Sequence, residues 1–222
     1  MSLAALLGVR PGVTAIIGGG GKTTLMETLG RELAPKGRVL LTTSAKIRRP
    51  DWLPVLDPET PEALGHALEA APLLCLGAPW PGEKLTAPTL AFATLSAAAD
   101  YVLVEADGSK GLPAKAHAAH EPVIPPEADS VILVLGADAF DRPISRVCHR
   151  PERFAALTGE DPASPLTPER WARLIRSEGY GTIIYVNKCE TERDWNNAAS
   201  LARQAEQPVV AGSLREGVFR QI

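Results

Sequence analysis

The stretch of the sequence with the clearest chemical potential is a run of four glycines followed by a lysine and two threonines. It follows an apolar, β-branched segment, residues 13–17, and precedes a helical pattern, which is the setting of a phosphate-binding P-loop. Glycines let the backbone turn with positive φ and bring N–H groups close to phosphate oxygens. The Lys22 ammonium is expected to reach the β- and γ-phosphates, and the Thr23 hydroxyl to bind Mg²⁺. The predicted nucleotide-binding residues of this loop are Gly18, Gly19, Gly20, Gly21, Lys22, Thr23 and Thr24.

The spacing of this loop departs from the common GxxxxGK[ST] form, because Ile16 occupies the place of the first glycine. It fits a shorter form, GxxGK[ST]T, counted from Gly18, which is found in some ligase-type P-loops. The alternative is a glycine-rich turn between a strand and a helix with an incidental lysine. Four consecutive glycines would then lose backbone entropy on folding without any compensating contact.

Two carboxylates, Glu105 and Asp107, follow the apolar segment 101–104. In P-loop proteins a second strand beside the loop brings an acidic residue to the Mg²⁺ ion. The two residues are two positions apart and so share a face in a strand. One or both are expected to bind the metal or to orient the attacking group; a tight turn at Asp107 is the alternative. Thr43, at the end of another predicted strand, is a further candidate for the Mg²⁺ shell or a simple β-branched strand residue.

A third group of polar residues closes the predicted strand 182–187, where Asn187, Lys188 and Glu190 resemble the NKxD element with which GTPases bind guanine. Glutamate stands in the place of the aspartate, and its longer side chain shifts the register of any contact with a base. These residues are predicted to contact the nucleotide base, and a simple Asn-Lys turn is the alternative. ATP and GTP both remain open.

Basic and imidazole side chains elsewhere suggest contacts with a substrate. Lys46 belongs to a short basic run, which either binds an anion or is a solvated face. His117 and His120 stand in a proline-rich loop, residues 112–129, in an order that no zinc protease uses, so we expect no metal there. A long ordered loop of this kind is expected to shape a pocket.

These residues must be positioned by the elements around them, and the chain alternates strand-like and helix-like segments. The predicted strands are short and apolar without period-two alternation, as in strands buried on both faces of a parallel sheet. They cover residues 13–17, 38–43, 73–77, 101–106, 130–135, 182–187 and 208–211. Helices are predicted over residues 23–33, 60–70, 87–99, 145–157, 167–179 and 191–204. This order predicts an α/β fold, a doubly wound and mostly parallel sheet like that of P-loop NTPases.

Composition limits the class of protein. With 222 residues and no flexible linker, the chain is expected to form a single nucleotide-binding domain, residues 1–222. A formal charge of −3 argues against an electrostatic nucleic-acid binder. No apolar stretch is long enough for a membrane span, and the short apolar start has no basic leader of a signal peptide. Three cysteines without CxxC spacing predict reduced thiols and a cytoplasmic location.

Taken together, several segments resemble one family. They are residues 18–24, the run Thr42-Thr43-Ser44-Ala45-Lys46-Ile47, residues 104–110, residues 112–115 and the run His120-Glu121-Pro122-Val123-Ile124-Pro125. This combination is similar to the YqeC family of selenium-dependent hydroxylase accessory proteins. The resemblance implies a cytoplasmic P-loop protein that helps mature a selenium-dependent molybdenum hydroxylase or its cofactor. It further implies that Lys110, Lys115 and His120 contact substrate.

The expected function is therefore the binding of ATP or GTP with Mg²⁺, with hydrolysis or with phosphoryl or nucleotidyl transfer to a small-molecule or phosphate acceptor. Such chemistry depends on positioning and charge neutralisation. Lys22, Glu105 and Asp107 are the expected catalytic residues. Two alternatives are a small-molecule kinase and a non-enzymatic, nucleotide-gated protein that docks on a client hydroxylase.

Overall fold

The structure is a computed structural model that describes residues 1–222. Its α-helices are α1 Leu3–Leu6, α2 Lys22–Leu33, α3 Pro61–Ala70, α4 Phe92–Ala98, α5 Ile144–Val147, α6 Pro151–Thr158, α7 Pro168–Glu178 and α8 Glu192–Ala202. Its strands are β1 Gly12–Gly18, β2 Val39–Thr43, β3 Ile47–Arg48, β4 Val55–Leu56, β5 Leu73–Leu76, β6 Ala78–Trp80, β7 Lys84–Thr86, β8 Tyr101–Glu105, β9 Ala114–Lys115, β10 Ala128–Gly136, β11 Cys148–His149, β12 Ile183–Asn187, β13 Val209–Ser213 and β14 Val218–Gln221.

Nine strands form the main sheet in the order β14-β13-β12-β10-β1-β8-β2-β5-β4. The pairs β1–β8, β2–β8, β2–β5, β4–β5, β10–β12 and β12–β13 are parallel, whereas β14 adds to β13 in the antiparallel direction. Because parallel neighbours need crossover connections, helices intervene between most of them. The predicted α/β class with a mostly parallel sheet is confirmed, and each predicted strand is present.

The chain divides into two compact units. The first unit comprises Met1–Ile16, Thr23–Gly108 and Val123–Ser130, and the second comprises Ile17–Lys22, Ser109–Pro122 and Val131–Ile222. A core of the first unit packs Leu40, Val102 and Val104 of the sheet against Leu64 and Leu95 of two helices. Truncating one of these leucines to alanine costs about 2–5 kcal/mol in a well-packed core. The prediction of one domain over residues 1–222 stays a prediction.

The helix boundaries follow local signals in the sequence. Thr60 and Thr167 accept backbone N–H bonds from Ala63 and Arg170, at 3.2 and 3.3 Å, and cap α3 and α7. Thr191 opens α8 with a capping box. Such caps satisfy N–H groups that have no partner inside the helix.

Two predicted helices differ from the structure. The segment predicted as helix over residues 87–99 is helical only from Phe92. Pro88 disfavours a helical conformation at residue 87, and Thr89 is held by the Asp57 carboxylate, which accepts its backbone N–H at 2.8 Å and its hydroxyl at 3.0 Å. The segment 145–157 is divided into α5 and α6 by the two-residue strand β11. There Arg150 has a left-handed φ of 66° and Pro151 begins α6.

Candidate functional site

The P-loop (residues 18–24) joins the end of β1 to the start of α2, as predicted. Gly18, Gly20 and Gly21 have φ values of 94°, 84° and 125°, which non-glycine residues rarely adopt. A Cβ on Gly18 would lie 2.3 Å from the Val134 carbonyl oxygen, and one on Gly20 would lie 2.3 Å from the Gly136 nitrogen. The loop therefore needs glycine both for its conformation and for its close contact with neighbouring backbone.

Part of the loop's hydrogen-bonding capacity is used within the protein. The Gly19 N–H donates to the Val134 carbonyl at 2.9 Å, and the Gly20 N–H donates to the Leu112 carbonyl at 3.1 Å. These two amides hold the loop in shape. The first N–H groups of α2 have no acceptor inside the helix, and the positive end of the helix dipole lies there. The donors for a phosphate are therefore expected at the start of α2.

Lys22, the first residue of α2, is only 4% exposed. Its Nζ donates to the carbonyl oxygen of Gly18 at 2.7 Å. A buried ammonium group needs such partners, because burying an unpaired charge is costly. The bond holds the cation against the glycine loop, and its predicted contact with phosphate stays a prediction.

The next residue, Thr23, lies in the first unit and meets the end of β8. Its hydroxyl donates to the Glu105 carboxylate at 3.1 Å, although the two residues are 82 positions apart. Glu105 is 6% exposed and Asp107 is fully buried. A hydroxyl beside a carboxylate is the type of oxygen-donor pair that Mg²⁺ accepts, and Mg²⁺ completes its octahedron with water and phosphate oxygens. The residues present therefore fit this ion.

The neighbouring strand β2 reinforces the same strand end. The Thr43 hydroxyl donates to the Glu105 carbonyl at 2.8 Å and accepts an N–H bond from Ala45 at 3.0 Å. Its partners are thus backbone groups rather than the Glu105 carboxylate. Thr43 positions the strand end in this structure, and its predicted place in a Mg²⁺ shell stays a prediction.

In the second unit, Asn187 lies beside the P-loop. Its side-chain amide donates to the Gly20 carbonyl at 2.8 Å. Its oxygen accepts bonds from the Leu214 N–H at 3.1 Å and the Tyr185 hydroxyl at 3.3 Å. Burial raises the pKa of Tyr185, so this hydroxyl stays protonated and remains a donor. Asn187 thus holds the loop through its backbone, a role that the predicted contact with a base did not include.

The other two residues of the predicted base-binding element also have protein partners. Lys188 Nζ forms an ion pair with Asp138 at 2.8 Å. The Glu190 carboxylate accepts from the Ser213 hydroxyl at 3.1 Å through one oxygen and pairs with Arg215 at 2.6 Å through the other. Both oxygens of Glu190 are therefore engaged, and a base would have to replace one of these partners. Contact with a base stays a prediction.

The predicted substrate contacts lie in different surroundings. Lys46 is exposed, and its Nζ lies 3.8 Å from the centre of the Trp80 ring. Lys110 and His120 are exposed as well, whereas Lys115 is fully buried and pairs with Glu121 at 2.7 Å. A buried paired lysine supports the fold of the proline-rich loop, so substrate contact by Lys115 would require that pair to open.

The same loop contains a buried network that sequence reasoning missed. The His117 ring nitrogen Nδ1 lies 2.7 Å from the Glu178 carboxylate, which also accepts the His117 backbone N–H at 2.6 Å. Burial opposes ionisation of Glu121, but hydrogen bonds from Lys115 and Arg150 outweigh it, and its pKa lies below the usual value. Glu178 is 61 residues from His117, so no local pattern in the sequence indicates that the two form a pair.

The structure contains no group of three or more histidine, cysteine and acidic side chains that could hold a metal ion. Its three cysteines are free and buried. Burial raises the pKa of each thiol to about 12, so none is a nucleophile at neutral pH. No helix is long and apolar enough to cross a membrane.

A family model described as YqeC protein matches residues 14–152. The uncharacterized protein YqeC of Escherichia coli (strain K12) is 34% identical over 176 residues, covering 75% of this chain and 68% of that protein. A solved structure of the Signal Recognition Particle 54 kDa protein from Aeropyrum pernix K1, in complex with GDP, is 18% identical with a TM-score of 0.41. That alignment covers 96% of this chain and 44% of the other, so the chain spans less than half of its length.

Proposed function

The chain belongs to the YqeC protein family, and from this premise we propose that it binds a nucleoside triphosphate with Mg²⁺ through its P-loop. The proposal includes hydrolysis, or phosphoryl or nucleotidyl transfer, in an accessory step that matures a selenium-dependent molybdenum hydroxylase. It places the protein in the cytoplasm. Family membership and the similarity of residues 104–110 and 120–125 to that family support the accessory role.

The observation that carries the proposal is the order of groups along the chain at the start of α2. Lys22 is held by Gly18, and the adjacent Thr23 bonds to Glu105. A cation and a hydroxyl bonded to a carboxylate therefore belong to consecutive residues at a helix N-terminus, where anions bind well. This is the combination that a polyphosphate with its divalent ion requires.

Each side chain has a definite task in this proposal. Lys22 neutralises charge that develops on the phosphates, because an ammonium group in a dry site stabilises charge strongly. Thr23 and Glu105 would hold Mg²⁺, which when bound neutralises phosphate charge and fixes its geometry. Asp107, fully buried two residues beyond Glu105, would orient the ion or the attacking group.

Substitution of Lys22 by alanine tests the nucleotide site. We expect MgATP or MgGTP affinity to fall by about 100-fold, because a charge-assisted contact to phosphate is lost. Lys36→Ala, at an exposed position just beyond the same helix, serves as the matched control and should leave affinity unchanged. Circular dichroism would show that both variants are folded. Undiminished affinity in a folded Lys22→Ala protein would refute the P-loop assignment.

Turnover tests the remainder of the proposal. Release of phosphate or pyrophosphate, measured with the purified protein alone and with a molybdenum hydroxylase client, distinguishes an enzyme from a nucleotide-gated binding protein. We expect turnover that rises when the client is present. Tight binding of both nucleotides with no turnover under either condition would contradict the enzymatic part.

A further inference from the structure

The segment 112–117, the first part of the proline-rich loop, lies against the P-loop in the second unit. The Leu112 carbonyl accepts the Gly20 N–H at 3.1 Å. A Cβ on Gly19 would lie 2.5 Å from the same carbonyl oxygen, so the two backbones are in close contact. The conformation of the P-loop therefore depends on where the segment 112–117 is held.

The segment takes part in little regular structure. Ala114 and Lys115 form strand β9, which pairs in parallel with β11. A sheet of two strands with two residues each is marginally stable on its own. Pro113 has a fixed φ, and three residues span at most about 10 Å, so a shift at Lys115 reaches Leu112 with little slack. We therefore expect side-chain bonds to hold the segment in place.

Such bonds converge on the Glu121 carboxylate. The ammonium group of Lys115, the last residue of β9, lies 2.7 Å from Oε2. The guanidinium group of Arg150, the residue directly after β11, donates to the same oxygen. The Lys115 side chain is fully buried, and those of Glu121 and Arg150 are only 16% and 22% exposed. Breaking a buried pair is strongly destabilising, because a charge is left without compensation. One carboxylate therefore joins the ends of both strands.

We propose that Glu121 and its two cationic partners, Lys115 and Arg150, are positioning residues for phosphate binding. Their ion pairs fix the segment 112–117, and the segment fixes the Gly20 amide of the P-loop. This inference rests on the proposed function, because the fixed shape of the loop serves to bind phosphate. It assigns Lys115 to the conformation of the P-loop instead of the substrate contact that the family resemblance implies.

Amide hydrogen exchange of the nucleotide-free protein, followed by nuclear magnetic resonance, tests this assignment in Glu121→Gln. Glutamine keeps the shape of the side chain without its charge. The His117–Glu178 pair still anchors the segment, so we expect the variant to fold. Exchange at Gly20 should become about 10-fold faster. Gly19 is the internal control, because its N–H donates to a carbonyl of β10, and its exchange should change by less than about twofold.

The two glycines distinguish positioning from general stability. Global unfolding exposes both amides, whereas movement of the segment 112–117 releases Gly20 alone. Equal acceleration at Gly19 and Gly20 in Glu121→Gln, or no acceleration at either, would overturn the inference.

Glu160→Gln is the matched control variant. The Glu160 carboxylate also joins two cationic side chains, Arg170 at 2.6 Å and Arg173 at 2.5 Å, and it is 13% exposed. Both partners belong to α7 rather than to the segment 112–117. Exchange at Gly20 should therefore stay the same, and an acceleration like that in Glu121→Gln would contradict a specific effect of the Glu121 pairs.

Arg150 provides a second variant in case Glu121→Gln does not fold. Since its side chain is partly exposed, Arg150→Gln should be milder, with exchange at Gly20 about threefold faster. Arg150→Lys should restore slow exchange, because the bond to Glu121 uses a single N–H group that lysine can replace. Fast exchange in Arg150→Lys would count against the ion pair as the cause.

MgATP affinity of the same proteins connects the loop to its proposed use. We expect it to fall about 10-fold in Glu121→Gln and to stay constant in Glu160→Gln. Faster exchange at Gly20 with unaltered MgATP affinity would overturn the positioning role alone. If the unchanged protein binds no nucleotide, the proposed function fails and the role in phosphate binding fails with it. Selective exchange at Gly20 would then still show that the ion pairs fix the P-loop.

Discussion

The carboxyl ends of β8 and β12 both carry polar residues that sequence analysis assigns to nucleotide binding, yet their contacts differ. At the β8 end, the Glu105 carboxylate meets the hydroxyl of Thr23, a side chain of the P-loop. At the β12 end, the Asn187 amide meets backbone groups of Gly20 and Leu214. The first end contains the oxygen groups that we propose as ligands of an ion, whereas the second holds the shape of the loop. Polar residues at the two strand ends thus contact a side chain of the P-loop in one place and backbone groups in the other.

The largest effect is expected at Gly20, the P-loop residue whose carbonyl accepts the Asn187 amide of β12. Gly20→Ala forces a Cβ within 2.3 Å of the Gly136 nitrogen at a φ of 84°. We expect the free energy of unfolding to fall by about 3 kcal/mol. Gly179→Ala, at a φ of 69° with no atom within 4 Å, should cost only about 1 kcal/mol. Equal losses in urea denaturation would show that backbone conformation alone matters, not the packed loop.

Changes at the β8 end should affect the ion rather than the fold. In Thr23→Val and Glu105→Gln, we expect the gain in ATP affinity on adding Mg²⁺ to fall about 10- to 100-fold. Affinity measured with EDTA should change little. Thr28→Val removes a hydroxyl of the same helix, one that bonds to the Thr24 carbonyl, and is the matched control. If Mg²⁺ raises the ATP affinity of both variants as much as that of the unchanged protein, Thr23 and Glu105 do not bind the ion.

Asn187→Ala distinguishes positioning from base contact. Loss of its bonds to Gly20 and Leu214 should lower the free energy of unfolding by about 2 kcal/mol. Because the amide acts on the loop, ATP and GTP affinities should fall by the same factor. Asn197→Ala, which loses one exposed bond to Asp141, should alter neither quantity. A selective loss of GTP affinity would assign Asn187 to the base instead.

Glu190→Asp gives a smaller effect with the same purpose. Because Ser213 and Arg215 occupy both carboxylate oxygens, we expect the ratio of ATP to GTP affinity to change less than about twofold. Competition binding measures this ratio. A marked gain in guanine preference would show that the carboxylate reads a base, as the NKxD-like spacing suggests.

The smallest effect is expected at the start of β8. There we expect Asp100 to contribute to the stability of the fold and to have no part in nucleotide binding. The Asp100 carboxylate accepts the Arg38 backbone N–H at 2.7 Å, and this bond lowers the pKa of Asp100 below its usual value of 3.8. The unfolded chain then binds protons more readily, so this contribution is present above about pH 4 and disappears as the pH falls further. Asp100→Asn should flatten that dependence in urea unfolding while MgATP affinity stays constant. Altered affinity would place function at both ends of β8.

Local patterns in the sequence were sufficient for much of the fold. Threonine caps at Thr60, Thr167 and Thr191 mark three helix starts because their hydroxyls satisfy nearby amides. The prediction was wrong at residues 87–91, where bonds from Thr89 to the distant Asp57 carboxylate favour a non-helical conformation. The prediction of one helix over residues 145–157 missed the strand β11. A strand of two residues carries too little local signal to be recognised before its partner strand is known.

The sequence by itself determined the P-loop, the parallel α/β class and the candidate oxygen ligands, because each depends on neighbours within a few residues. Tertiary structure alone decided how those candidates are used. Thr23 finds Glu105 across 82 residues, Asn187 finds Gly20 across 167, and His117 finds Glu178 across 61. Folding decides which polar groups bond to other protein groups and which stay available to a ligand. That outcome depends on three-dimensional distance, which residue type and spacing do not encode.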